Sequence, residues 1–287
     1  MTRGIFVGLS TIDVVYGVDE FPQENSKVAA RTQDVFVGGP ATNASIAFSH
    51  LGGTATLVTA VGRHALAGVV REELQKYSVQ LIDLNPGFGE VPVLSSISVD
   101  RRGRRNIVSA NETRVAALLA EADLKALKGA RVVLVDGHYM QACQAWARAA
   151  RAQGTPVVLD AGSWKEGIGE LLKTVDIAIC SADFLPPGCA TEDEVFHYLK
   201  DRGVTSIAIT RGAEPVRFAA GAASGTVEVP QVEVVDTMGA GDIFHGAFCY
   251  FMSIGGREFV EALQEAAKVA AESCRFRGAR DWMKDQV

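Results

Sequence analysis

From about residue 120 onward, strand-length apolar runs alternate with helix-length segments. The runs cover 131–135 (RVVLV), 156–160 (PVVLD), 176–180 (DIAIC) and 205–210 (TSIAIT). Helical patterning covers 121–128, 140–153, a stretch around 166–173, and 191–202. This alternation calls for parallel strands joined by crossover helices that cover both faces of one sheet. Residues 4–9 (GIFVGL) add another buried strand, and 55–61 (ATLVTAV) a further one before a helix over 65–77. Residues 216–229 read as a β-meander and 257–274 as a closing helix. The expected fold class is α/β, a three-layer, doubly wound, mostly parallel sheet.

Two stretches break the pattern. Residues 14–18 and 27–37 alternate loosely and carry few helix signals. Residues 91–99 and 104–109 flank Asp100-Arg101-Arg102-Gly103, a hairpin signal. Segments 14–37 and 92–109 are therefore expected to form one small antiparallel sheet, inserted into a single domain spanning 1–287 and able to act as a lid. The 28 basic residues against 34 acidic ones give a net charge of −6, which argues against nonspecific nucleic-acid binding. The short basic run at 101–105 reads as a solvated turn. Five cysteines show no CxxC spacing, and no apolar run approaches the ~20 residues of a membrane span. The expectation is a reduced, cytoplasmic protein with structurally inert thiols.

The stretch from Gln231 to Gly255 carries the strongest chemical signal. Val232, Val234 and Val235 alternate with polar residues and read as a strand end. Gly239-Ala240-Gly241 follows, and then an apolar run, Ile243 to Met252, of helical length. A helix that starts on small residues presents free N–H groups and positive potential to an anion. Asp242 sits in the first turn, where it serves either as a helix starter or as a base beside an anion hole. No GxxxxGK[ST] loop occurs, and Phe244 stands where a G-x-G-x-x-G motif needs its third glycine. Upstream, Gly38-Gly39-Pro40-Ala41-Thr42-Asn43-Ala44 leads into a helix expected over 45–51. Asn43 there offers both a donor and an acceptor. Asp13 follows the first strand, at the sheet edge where α/β ligands bind, or it forms a turn. Thr210 and Gly212 end another strand at the same edge.

Asp236-Thr237-Met238-Gly239-Ala240-Gly241-Asp242 resembles the DTxGAGD signature of the ribokinase-like (PfkB-type) carbohydrate kinases. The GGxxxN…LG order at Gly38–Gly52 and the CxxxG at Cys274–Gly278 resemble other parts of the same family. The likeness covers almost the whole chain and is nearest to ketohexokinase-like and sulfofructose kinase-like members. It implies a ribokinase-like fold and transfer of the ATP γ-phosphoryl group to a sugar hydroxyl with Mg²⁺, the acceptor being a ketose or sugar derivative. It makes Asp242 the base, with Gly239, Ala240 and Gly241 as anion-hole amides. Asp13, Gly39 and Asn43 would hold the sugar, and Thr210 and Gly212 would lie near the nucleotide. Asp236, Met238, Cys274 and Gly278 resemble the family's monovalent-cation (K⁺) loop. The lid would cover the sugar and pair two subunits as a homodimer. Lys27 and His138 are similar in position to residues that contact an anionic head group in sulfofructose kinases. Taken alone they read equally as a surface lysine and a loop histidine.

One departure stands out. The family's metal-linked NxxE is replaced by Ser181-Ala182-Asp183-Phe184, which leaves the Mg²⁺ residues unassigned, with Asp183 as a partial substitute for the charge. A nucleoside kinase is the rival within the fold, but the lid segments hold only Tyr16, Phe21 and Phe36 as aromatic walls. A noncatalytic sugar- or nucleotide-binding regulator that kept the fold is the rival of another class, and such a protein would not need Asp242.

Overall fold

The computed structural model describes residues 1–110, 122–255 and 257–284. Its main sheet has nine strands. In spatial order they are β13 (Ala223–Val227), β12 (Glu214–Ala220), β11 (Ser206–Arg211), β10 (Ile177–Ser181), β9 (Val157–Ala161), β8 (Val132–Val135), β1 (Arg3–Val7), β4 (Thr54–Thr59) and β5 (Gln80–Asp83). All neighbours from β11 to β5 run parallel, and β12 and β13 turn back antiparallel at one edge.

Successive residues of each inner strand feed opposite cores. Phe6 and Leu134 face the core built with α1 (Pro40–His50), α2 (Ala67–Lys76), α7 (Ala240–Ser253) and α8 (Phe259–Ser273). Ile5, Val7, Val133 and Val135 face the other core, with α4 (Met140–Ala152), α5 (Ile168–Leu171) and α6 (Glu192–Asp201). The period of two places each strand's apolar residues on both faces, as a doubly covered sheet requires. A short α3 (Leu124–Leu127), capped by Asp123, precedes β8. The first residue of the helix expected at 121–128 lies outside the described residues.

The second sheet has the order β3 (Thr32–Gly38), β2 (Thr11–Gly17), β6 (Leu94–Val99), β7 (Arg105–Ser109). It is mixed rather than antiparallel. β2 and β6 run parallel because the chain returns between them through β4, α2 and β5. Asp13 sits within β2, so this sheet begins earlier than expected and Asp13 belongs to the lid. Residues 27–31 are not strand. Register places Asp13, Phe36 and Ser95 on the inner face and Val14, Val35, Ser96 and Val108 on the outer one.

Two further expectations are corrected. Residues 231–235 form no strand: the N–H groups of Val235 and Asp236 both donate to the Cys274 carbonyl, at 2.8 and 3.2 Å, and Val234 and Val235 are exposed. The first helix starts at Pro40 rather than Ser45, since proline at the first helical position needs no N–H partner. Among the described residues, no helix is long and apolar enough to cross a membrane.

Candidate active site

The site forms where α1 and α7 begin, at the C-terminal edge of the main sheet and under the inner face of the small one. The two helices pack very closely. A Cβ on Gly246 of α7 would lie 2.3 Å from the Ala44 carbonyl of α1, so only glycine permits this approach. The closeness sets Asn43 against Asp242, with Asn43 Nδ2 donating to Asp242 Oδ2 at 2.6 Å.

Gly239 caps α7 with φ of 70°, a left-handed turn that suits glycine. The Gly239, Gly241 and Asp242 N–H groups have no partner among the described residues, whereas the Ala240 N–H is turned to the Thr237 carbonyl at 3.3 Å. Of the expected anion-hole amides, that of Ala240 thus already has a backbone acceptor. A Cβ added at Gly241 meets nothing within 4 Å, so open space lies beside Gly241, whereas one at Gly239 would lie 3.0 Å from Ala279 Cβ. Donors at a helix start beside open space suit a phosphate.

Asp242 is half-buried at this point. Burial, followed by the negative charge of Asp160, pushes its carboxyl up to about 7, against the lowering effects of the Asn43 bond and of His245. Asp160 ends β9. The His245 ring lies one turn along α7, with its nitrogens 2.7 Å from the Gly241 carbonyl and 3.2 Å from the Ile179 carbonyl. Its Nδ1 is also 3.5 Å from Asp160. Asp136, at the end of β8, accepts N–H groups from Leu9 at 2.8 Å, Ala41 at 3.3 Å and His138 at 2.9 Å. It ties the ends of β1 and β8 to the start of α1, and burial raises its pKa.

Asp13 reaches in from the lid, and the lid is shaped for it. A Cβ on Gly38 would fall 2.0 Å from Asp13 Oδ2. Burial raises the Asp13 pKa, while hydrogen bonds with Thr11 and Ser95 and the charge of Arg280 oppose the shift. Gly39 is the N-cap of α1. Asp13, Gly39, Asn43, Gly239, Gly241 and Asp242 are therefore brought to one end of the cleft. Thr210 Oγ1 donates to the Cys180 carbonyl at 3.2 Å, and Gly212 lies in the adjoining turn. Lys27 is exposed on the connection between β2 and β3. His138 is half-buried, and its carbonyl accepts the Cys143 thiol at 2.8 Å.

The four residues of the expected cation loop do meet. Asp236 Oδ1 accepts the Met238 N–H at 3.0 Å, Asp236 Oδ2 accepts the Gly278 N–H at 2.9 Å, and Cys274 closes the loop through its carbonyl. Yet Arg105 of the lid also donates to Asp236 Oδ1, at 2.8 Å. The carboxylate therefore already has a cationic partner, and the Cys274 carbonyl already accepts two N–H groups. This donor set does not suit an added monovalent cation. At the position of the missing NxxE, Ser181 Oγ donates to the Gly162 carbonyl at 2.7 Å and Asp183 is exposed.

Between the inner face of the lid and the loop before α7 lies a cavity of about 580 Å³. Phe36, Met238 and four arginines (Arg31, Arg102, Arg105 and Arg277) are in its wall.

Sequence reasoning did not single out Asp136, Asp160, His245, Arg105 or Arg280. The first two could have been found, because each is a lone carboxylate closing an apolar strand at the ligand edge.

The sequence pattern of the pfkB family carbohydrate kinases matches residues 1–286, and the chain belongs to that family. It is 24% identical over 298 residues to a ribokinase of Arabidopsis thaliana, covering 98% of this chain and 78% of the relative. It is 25% identical to an ATP-dependent ribose-1-phosphate kinase of Halopiger xanaduensis, covering 98% of this chain and 94% of the relative. The crystal structure of a ribokinase candidate from Agrobacterium tumefaciens superposes with a TM-score of 0.87 at 26% identity, covering 97% of this chain and 93% of the other.

Proposed function

We propose that this carbohydrate kinase transfers the γ-phosphoryl group of ATP to a sugar hydroxyl, with Asp242 as the general base. One observation carries the reading: a carboxylate with raised proton affinity lies beside helix-start amides without partners among the described residues, with open space at Gly241. In the reaction the sugar O–H bond breaks and its proton passes to Asp242. The sugar oxygen bonds the γ-phosphorus as the bond to the ADP oxygen breaks. The Gly239 and Gly241 amides stabilise charge on the transferring group. Asp13, Gly39 and Asn43 hold the sugar, and Thr210 and Gly212 flank the nucleotide. Mg²⁺ carried in with ATP would neutralise phosphate charge, with Asp183 supplying part of the charge that the missing NxxE would have given.

For the acceptor, a ketose or sugar derivative remains the working class, and ribose or a phosphorylated ribose is the second reading. The names of the relatives support the latter. Of the arginines in the cavity wall, Arg31, Arg105 and Arg277 already pair with Asp19, Asp236 and Asp34, which leaves Arg102 there, with Lys27 and His138 as expected from the sequence, to meet an acceptor that already carries an anionic group. The outer face of the lid presents Val35, 52% exposed, and Val108, 70% exposed, on one row, which suits a homodimer through the lid.

The test is an ATP-coupled assay over ribose, ribose 1-phosphate, fructose, a sulfosugar and adenosine. Phosphoryl transfer to a sugar supports the proposal. Transfer to adenosine alone, or ATP binding without transfer to any acceptor, contradicts it.

A further inference from the structure

Four segments meet behind Asp242, and one side chain holds them together. Arg280 lies in the segment after α8 and is only 7% exposed. Its Nε donates to Glu73 Oε1 of α2 at 3.0 Å. Its Nη2 donates to the Val37 carbonyl of β3 at 2.9 Å and to Asn43 Oδ1 of α1 at 2.8 Å. Asn43 then donates from Nδ2 to Asp242 of α7 at 2.6 Å.

The chemistry of the guanidinium fixes the direction of this chain. Arginine has five N–H donors and no acceptor. Asn43 must turn its oxygen toward Arg280, which leaves its NH₂ group for Asp242. The reversed amide would set N–H against N–H on one side and oxygen against carboxylate oxygen on the other. That second contact is tolerable only when Asp242 carries a proton. Arg280 therefore favours ionised Asp242, the form able to accept a substrate proton.

We propose that Arg280 is a positioning residue for the transfer reaction, acting through the amide of Asn43 to hold Asp242 aimed and ionised. The inference rests on the reading of Asp242 as the base. The charged groups around Asp242 are Asp13 of β2, Asp136 and Asp160 at the ends of β8 and β9, His245 of α7, and Arg280 with Glu73 behind it. Tyr77 lies beside the Arg280 guanidinium, 5.8 Å from it to the ring centre. The carboxylates outnumber the cations here. Loss of the Arg280 charge and reversal of the Asn43 amide would both raise the proton affinity of Asp242.

The experiment measures kcat against pH with saturating ATP and the panel sugar of highest turnover. In Arg280→Met the acid limb of the profile should move upward by about one pH unit or more, the size expected for losing a charge-assisted bond. Arg280→Lys keeps the charge and one donor, so it should recover at least half of that shift. If Arg280→Met does not fold, Arg280→Gln takes its place, because an amide that can also accept no longer dictates how Asn43 turns. A lower kcat with an unmoved acid limb would show a merely structural arginine and overturn the proposal. An Arg280→Lys profile no closer to the parent than that of Arg280→Met would overturn it too. Asp242→Asn, run alongside, separates the two levels. An active Asp242→Asn enzyme removes the base reading itself. An inactive one, with the Arg280→Met limb in place, removes only the relay.

Discussion

Val133 and Val108 are both strand valines, yet one is 0% exposed and the other 70%. The first belongs to the main sheet and the second to the outer strand of the lid. Strands β8 and β9 are buried along their whole length, whereas every residue of β7 is exposed. The main sheet is held by packing on both faces. The lid shares part of this packing, since Ile12 of β2 and Val37 of β3 join the core with α1 and α2, and its two edge strands are tied down by ion pairs, Arg105 to Asp236 and Arg277 to Asp34. The difference teaches a division of labour. Asp242, Asp160 and Asp136 stand on elements fixed by two cores. Asp13 and Arg105 stand on the lid, whose edge strands are held in part by half-exposed charge pairs, each of small worth.

The contrast can be broken most forcefully in the core. Phe48 is fully buried and meets Phe6 edge-on, with ring centres 5.2 Å apart. Phe48→Ala should cost about 3–5 kcal/mol in chemical denaturation; a loss below about 1 kcal/mol would mean that the main sheet is not held as described. A smaller effect is expected from Gly38→Ala, which drives a methyl group into Asp13. Overpacking of that kind costs about 1–3 kcal/mol, and here it should appear as a raised sugar KM with global stability largely kept. An unchanged KM would remove Asp13 from the sugar site.

Smaller again is Arg105→Ala. The exposed pair is worth about 0.2–1 kcal/mol, so stability should hardly change while amide exchange quickens in residues 94–99 and 105–109. Equal exchange in parent and variant would show that the lid is held by something other than this pair. Val108→Asp should leave folding stability within about 0.5 kcal/mol of the parent and abolish self-association in sedimentation, if the outer lid face joins two copies. A dimer that survives the substitution places the interface elsewhere.

Much of this division is visible in the chain itself. β8 is a continuous apolar run, and β9 and β10 are apolar but for Asp160 and Ser181, as parallel strands buried on both faces require. The anion-binding start of α7 is legible because its glycines, its carboxylate and its helix are local in sequence. What escaped reading was set by distant contacts. Val232, Val234 and Val235 alternate like a strand, yet their segment is fixed by one carbonyl, that of Cys274, and periodicity carries no sign of it. The four residues of β5 are too few to show a period. Arg280 is one of several arginines near the C-terminus, and only the return of that segment beneath α1 buries it. Its partner Glu73 lies in another helix 207 positions away in the chain.

The central claim is that Asp242, fixed by the rigid half of the molecule, is the group that takes the substrate proton. Asp242→Asn is nearly isosteric and tests it most directly when turnover and ATP binding are measured on the same preparation. The account predicts ATP affinity within about threefold of the parent and a kcat lower by roughly 10²–10⁴-fold, the usual contribution of a general base. A kcat within about threefold of the parent, with ATP binding intact, would contradict it.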